Sequence, residues 1–413
     1  MSVEIITTGN EIMAGLTLDT NFNWAAGVLS EKGISVLYHS SVSDNVDDLI
    51  SSFETAAKRA KAVIVIGGLG PTDDDLSAIS ASKFLSSNLV FNQMVYDSIV
   101  EKLKNRGRKP NENHKKQAKF PEISKVIENP LGTAFGFKFK FSEAVFYFLP
   151  GVPKEFKMMF LESVLPEIEK SISKNKIVLT RLLKTFGLGE SEVAKKLSGI
   201  ELGEVELGYR IKFPEVHLRL SAAGSNETEL KRRLAASTNL ISKKLGDYLF
   251  STNDKSLEEA AAEMLFKKNI TVATAESCTG GLLASRLTDV PGSSAYFLEG
   301  VVAYSNESKV QMLGVSKSDI DKFGAVSSEA AMQMAKGIRE LSGSDIGIGI
   351  SGIAGPGGGT REKPVGTVFI GLNYKDSRIF SKKYRFHGTR SEIKTLAAST
   401  ALDLVRKFCL YDV

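Results

Sequence analysis

The sequence predicts an α/β protein: two doubly wound α/β domains joined by a small α+β domain. Three observations carry that expectation. Short apolar runs such as Ala62-Val63-Ile64-Val65-Ile66 end in glycine-rich turns, as expected of strands buried on both faces. Amphipathic segments of helical length separate them, giving a strand-helix alternation. Polar residues gather directly after the apolar runs, at the strand ends where open α/β sheets bind ligands. With 413 residues the chain is too long for one ordinary core, so two or three domains are expected.

In the first 168 residues, strands are expected over 3–7, 34–38, 62–66 and 145–149, and helices from about 19, from 46 and over 154–160. The helix from 46 is the best marked, because Val46, Leu49, Ile50, Phe53, Ala57 and Ala60 fall on one face at helical spacing. The loops after the first three strands hold the candidate site. The first is Gly9-Asn10-Glu11, the second carries Asp44, and the third is Gly67-Gly68-Leu69-Gly70-Pro71-Thr72-Asp73-Asp74-Asp75. Gly67, Gly68 and Gly70 let backbone N–H groups approach a phosphate, and Glu11 stands at the same edge. Asp44, Asp74 and Asp75 are candidate ligands for a divalent cation, and oxygen donors of this kind suit magnesium. The plainer reading makes Asp73 or Asp74 a cap for the next helix. A basic run from Lys102 to Lys119 reads as a solvated face or as a guide for an anionic substrate.

Residues 175–250 read as a separate small α+β module, with strands over 176–183 and 215–220 and helices over 191–197 and 227–245.

The last segment, residues 254–413, opens with a helix over 256–268 that turns Leu257, Ala260, Ala261, Met264 and Leu265 inward. An apolar run over 270–275 then leads through Glu276-Ser277-Cys278-Thr279-Gly280-Gly281 into a helix from 282. Ser277 reads either as a helix cap or as a nucleophile at a strand end, with N–H groups near Thr279, Gly280 and Gly281 stabilising an oxyanion. A strand over 301–304 ends at Ser305 or Asn306, either of which could cap a helix that aims Lys309 back at Tyr304 and the sheet edge. A strand over 345–350 runs into Ser351 and a loop whose glycines, Gly352 and Gly355 among them, suggest a close approach of backbone to ligand. Gly388-Thr389-Arg390 precedes the C-terminal helix and offers a guanidinium to a phosphate or carboxylate. Ser277 needs a base. His387 is the sole histidine of this half, and the alternative is Lys309 with a depressed pKa, relayed through Tyr304. Cys278 is the runner-up nucleophile.

Composition removes several classes. Two cysteines and four scattered histidines build neither a disulfide framework nor a thiolate metal cluster. A net charge of +5 is too mild to imply nucleic acid. No apolar run approaches the ~18 residues of a membrane span, and the first residues lack the basic-then-apolar pattern of a secretion signal, so a cytoplasmic location is expected.

On these motifs the chain is identified as resembling the CinA family. Residues 1–168 resemble the molybdopterin-binding fold of the MoaB and MogA group, on Gly67, Gly68, Gly70, Asp75, Ser77 and Asp44. In its CinA form that domain implies metal-dependent hydrolysis of the ADP-ribose pyrophosphate. Residues 175–250 resemble the KH-like middle domain, but Gly187-Leu188-Gly189-Glu190 puts a carboxylate where a KH loop would clamp phosphate, so a spacer or dimerisation role is expected. Residues 254–413 resemble the CinA C-terminal domain, also found alone as PncC. The motifs are Thr274-Ala275-Glu276-Ser277-Cys278-Thr279-Gly280-Gly281, Tyr304-Ser305-Asn306-Glu307-Ser308-Lys309, Ser351-Gly352-Ile353-Ala354-Gly355-Pro356 and Lys363-Pro364-Val365-Gly366-Thr367-Val368. This resemblance implies deamidation of nicotinamide mononucleotide to nicotinate mononucleotide and ammonia, without a cofactor. Ser277 would be the nucleophile, Tyr304 and Lys309 would activate it, and Ser351 and Arg390 would assist.

The expectation is therefore a homodimeric hydrolase of pyridine-nucleotide recycling, with nicotinamide mononucleotide and ADP-ribose as partners and neither membrane nor nucleic acid among them. Two other readings stay open: an N-terminal domain that only binds a pterin or nucleotide, and an accessory factor in competence or DNA recombination.

Overall fold

The structure, a computed structural model, describes residues 2–171, 177–375 and 377–411. The expected strand start at Lys176, the domain bound at 175 and the last two residues lie outside them. The chain divides into two compact units, Met1–Leu179 with Ala222–Lys231, and Thr180–Ser221 with Arg232–Val413.

The first unit is organised on a six-stranded sheet in the order Val36–Val42, Val3–Thr8, Ala62–Ile66, Ala144–Leu149, Gly136–Phe141, Lys125–Ile127. The first four strands are parallel, and the last two are added by antiparallel pairings, so that only Gly136–Phe141 runs against the rest. Val3–Thr8 and Ala62–Ile66 are buried along their whole length, as their apolar runs require of central strands. Helix Val46–Arg59 is capped by Asn45, whose side chain accepts from the N–H groups of Asp47 and Asp48. It buries Leu49, Phe53 and Ala56 on one face of the sheet, while Ala25 and Leu29 of helix Thr20–Glu31 pack on the other. Helices on both faces make the sheet doubly wound.

Some local expectations shift. Ala56 rather than Ala57 is the fully buried alanine, the second strand runs Val36–Val42 rather than 34–38, and helix Pro153–Met159 continues into a π-helical turn, Phe160–Val164. The helix after the glycine loop starts at Ser77 with Leu76 at its N-cap and no side-chain cap, so neither Asp73 nor Asp74 caps it.

A small four-stranded sheet follows, in the order Glu206–Lys212, Glu215–Gly224, Ile177–Phe186, Leu249–Ser251, accompanied by helix Glu227–Leu245. The larger sheet of the second unit has five strands: Phe297–Val302, Val272–Glu276, Ile346–Gly352, Thr367–Tyr374, Arg378–Arg385. The first three are parallel, and the last two form an antiparallel extension that the sequence reading did not anticipate. Helix Ser328–Ser342 covers one face through Met334 and Ile338, and Leu257–Lys268, Leu282–Thr288 and Arg390–Tyr411 cover the other. The first of these starts at a capping box between Ser256 and Glu259 and buries Ala262, while Met264 is only partly covered. Helix Ser328–Ser342 lies so close to its sheet that a Cβ on either Gly349 or Gly371 would come 2.3 Å from the Ala331 carbonyl oxygen. Among the described residues no helix is long and apolar enough to cross a membrane.

Candidate functional site

In the first unit every N-terminal candidate reaches one cleft of about 420 Å³, lined by Glu11, Asp44, Gly67, Gly68, Gly70, Asp74 and Asp75 together with Thr7, Thr8 and Asp19. The glycine turn is shaped from within. Gly67 has φ 108°, and a Cβ there would lie 2.7 Å from the Thr8 carbonyl oxygen, while the buried Ser77 hydroxyl donates to the Gly67 carbonyl at 2.8 Å. Asp44 accepts from the Thr8 hydroxyl at 2.6 Å and the Asn10 N–H at 2.9 Å. Asp75 accepts from the N–H and hydroxyl of Thr72 at 2.8 and 2.6 Å.

Among the described residues no three His, Cys, Asp or Glu side chains converge as a metal-holding group, so the cleft is not a preformed cage. Its donors are carboxylates and hydroxyls, and they fit magnesium in its sparse mode, with one or two carboxylates and the remaining positions left to water and substrate phosphate. Sequence reasoning passed over Asp19 beyond its place at a helix start. It caps helix Thr20–Glu31 through the Phe22 N–H, accepts from the Thr7 hydroxyl at 2.5 Å and lies 3.2 Å from His39 Nε2. Burial pushes its carboxyl upward, but the hydrogen bonds from His39, Thr7 and Phe22 outweigh that and hold it below its usual value.

In the second unit, strand Val272–Glu276 is buried throughout and delivers Ser277 to its C-terminal edge. The Ser277 N–H continues the sheet by donating to the Ile350 carbonyl at 2.9 Å, and the chain then turns, with the Gly280 N–H on the Ser277 carbonyl at 3.1 Å. Gly280 and Gly281 take φ of 63° and 90°, conformations that favour glycine. The N-cap of helix Leu282–Thr288 is Gly281, so Ser277 is not the cap. Glu276 occupies that helix start instead: its buried carboxylate accepts from the N–H groups of Gly281, Leu283 and Ala284 at 3.1, 3.1 and 2.8 Å. This corrects the expected oxyanion donors. Gly280 and Gly281 already spend their N–H groups inside the protein, the first on the Ser277 carbonyl and the second on the Glu276 carboxylate, which needs donors of its own because it is buried.

Lys309 is 2 % exposed, and its amine donates to Ser277 Oγ at 3.1 Å, to the Ala303 carbonyl at 2.9 Å and to the Tyr304 carbonyl at 3.2 Å. Burial lowers its pKa from the ordinary lysine value, since desolvation penalises the charged form. The lysine reaches back because it lies in the first turn of helix Asn306–Leu313, whose side chains lean towards the N-terminus. Ser305, not Asn306, caps that helix, accepting from the Ser308 N–H at 3.0 Å.

Other candidates sit differently from expectation. Tyr304 is 59 % exposed, and its hydroxyl accepts from the Arg390 guanidinium at 2.9 Å. Lys309 therefore meets Ser277 directly, without a tyrosine relay. Arg390 also donates to the Gly355 carbonyl at 2.8 Å. The buried Ser351 lies within strand Ile346–Gly352, and its hydroxyl donates to the Ala325 carbonyl at 2.6 Å rather than meeting Ser277. Gly352 and Gly355 answer to packing: a Cβ would come 2.7 Å from Val368 in the first case and 2.6 Å from Val365 in the second. Thr279 is fully buried with its hydroxyl unpartnered among the described residues. His387 is exposed, and the group beside Ser277 is Lys309. Cys278 is buried, and burial pushes its thiol up to about 12, which removes it as a nucleophile near neutral pH.

Fold and geometry together define a multidomain α/β protein whose C-terminal sheet mounts a serine–lysine pair at a parallel strand end and whose N-terminal sheet opens a glycine- and carboxylate-lined cleft. The chain belongs to the CinA family. Residues 4–170 match "Probable molybdopterin binding domain", residues 180–251 match "Damage-inducible protein CinA KH domain", and residues 254–409 match "CinA C-terminal domain". A CinA-like protein of Kosmotoga olearia is 41 % identical over 412 residues, covering 99 % of both chains. One of Geobacter sulfurreducens is 39 % identical over 409 residues, covering 98 % of this chain and 99 % of its own. Among solved structures, the competence/damage inducible protein CihA of Agrobacterium tumefaciens is 39 % identical, with a TM-score of 0.35, covering 37 % of this chain and 96 % of its own.

Proposed function

We propose that the protein is a two-activity hydrolase of pyridine-nucleotide recycling, whose C-terminal site deamidates nicotinamide mononucleotide. The observation that carries this reading is the buried Lys309 amine 3.1 Å from Ser277 Oγ. In its neutral form Lys309 accepts the Ser277 proton while its two remaining N–H bonds stay on the Ala303 and Tyr304 carbonyls. Ser277 Oγ attacks the carboxamide carbon, and the tetrahedral intermediate expels ammonia, which takes its extra proton from Lys309. Water, deprotonated by the same amine, then cleaves the acyl-enzyme to nicotinate mononucleotide and frees Ser277. The test is ammonia release from nicotinamide mononucleotide. Ser277→Ala should abolish it, and Lys309→Met should lower it by roughly 10²- to 10⁴-fold. Full turnover in Ser277→Ala removes the nucleophile from this account.

For the N-terminal cleft the reading is hydrolysis of the ADP-ribose pyrophosphate. Asp44 and Asp75, with Asp74 at the rim, would hold a divalent cation, which supplies charge neutralisation of the diphosphate and polarisation of its phosphorus. The chain's own part is to present the Gly67, Gly68 and Gly70 backbone to the diphosphate and to keep Asp44 oriented through Thr8 and Asn10. The absence of three converging carboxylates among the described residues favours a second reading, a domain that binds a nucleotide or pterin without turning it over. AMP release from ADP-ribose with magnesium, and its loss with EDTA, separates the two. In this proposal the partners are the two nucleotides, and sedimentation tests the homodimer.

A further inference from the structure

Beside the Ser277 turn lies an amine that the steps above do not use. Lys394 sits one helical turn beyond Arg390 in helix Arg390–Tyr411, so the two basic side chains share a face. A Cβ built on Gly280 would lie 3.7 Å from the Lys394 amine, which places that amine against the turn carrying Ser277. Lys394 makes no hydrogen bond, ion pair or ring contact among the described residues. Glu392, two residues earlier and so on a different face of the helix, is turned to the helix start, where it accepts from the N–H and hydroxyl of Thr389 at 2.7 and 2.8 Å.

The other cations around the turn are committed. Lys309 is buried on Ser277 and two carbonyls, and the Arg390 fork is held by Gly355 and Tyr304. The Glu276 carboxylate is absorbed by three backbone N–H groups of helix Leu282–Thr288. What stands at the Gly280 side of the turn is therefore an unshared positive charge on a flexible stem, a point-charge binder of the kind that suits a phosphate monoester.

We propose that Lys394 binds the phosphate of the mononucleotide, seating it against the Gly280 turn so that the carboxamide end reaches Ser277. This rests on the amidase reading and assigns its phosphate subsite to Lys394, with Arg390 as the adjacent charge. The lysine contributes binding and orientation and takes no part in the proton transfers.

The experiment compares nicotinamide mononucleotide with nicotinamide riboside, the same compound without the phosphate, on the wild-type chain, Lys394→Ala and Lys394→Arg. Lys394→Ala should raise KM for the mononucleotide by roughly 10- to 100-fold and weaken competitive inhibition by inorganic phosphate to a similar degree. It should leave kcat, and kcat/KM for the riboside, unchanged, and Lys394→Arg should restore most of the mononucleotide affinity. An unchanged KM for the mononucleotide, or an equal loss with both substrates, overturns the proposal. If the wild-type chain releases no ammonia, the amidase reading falls, and titration calorimetry with inorganic phosphate decides the subsite by itself. Binding weakened in Lys394→Ala sustains it, and binding equal in the two proteins overturns it.

Discussion

The Lys309 amine lies 3.1 Å from Ser277 Oγ, 32 residues away in sequence, with both side chains buried. Two parallel strands make this possible, because Val272–Glu276 and Phe297–Val302 are neighbours in the sheet and release their following segments at the same edge. A buried amine against a hydroxyl makes sense as a proton acceptor only when it is neutral, which gives a first prediction.

Ammonia release should rise with pH along a single ionisation below the ordinary lysine pKa, because desolvation lowers Lys309 and only its neutral form accepts the serine proton. The stability sign follows. With the folded pKa depressed, the unfolded chain binds more protons, so this contribution is fully present above the ordinary lysine pKa and is lost as pH falls through the lowered one. A pH series of kcat/KM and of Tm checks both. An amidase profile that is flat up to pH 10 rules out Lys309 as the titrating base.

Glu276 ties the nucleophile strand to the helix after it through three N–H groups. Glu276→Gln keeps one accepting oxygen but turns an NH₂ towards backbone donors. The expected loss is about 2 kcal/mol of stability, with the fold retained. Denaturant unfolding measures it, and an unchanged midpoint would mean that the carboxylate is dispensable to the turn.

Tyr304 touches Arg390 rather than Ser277, so Tyr304→Phe should act on binding. KM for the mononucleotide is expected to rise by roughly tenfold while kcat stays nearly level. A large fall in kcat with KM unmoved would instead place the phenol in the proton path.

Both cysteines are buried, and burial raises their thiols to about 12 for Cys278 and about 11 for Cys409. Native protein should react with a thiol reagent only as fast as it unfolds, and Cys278→Ser should retain most of the amidase activity. Rapid labelling of Cys278 accompanied by inactivation would contradict its buried placement.

Much of the site could be read from the linear order of residues. Val46–Arg59 and Ala62–Ile66 declare themselves by period and apolarity, and Lys309 by its place one turn into a helix that follows a strand end. The antiparallel strands Thr367–Tyr374 and Arg378–Arg385 were not read, because the outer one is a lysine- and arginine-rich edge with no clean alternation.

The sequence by itself determined which chemistry is present: a serine on a glycine turn, a lysine a helical turn past a strand, and carboxylates after other strands. Tertiary structure alone decided which of these groups meet. Sheet neighbours bring Lys309 to Ser277, while long-range partners fix Ser351 on Ala325 and Tyr304 on Arg390. The physical reason is that spacing along a chain sets only local direction, whereas hydrogen-bond partners across 26 to 86 residues depend on which strands lie side by side and how far each side chain is taken out of water.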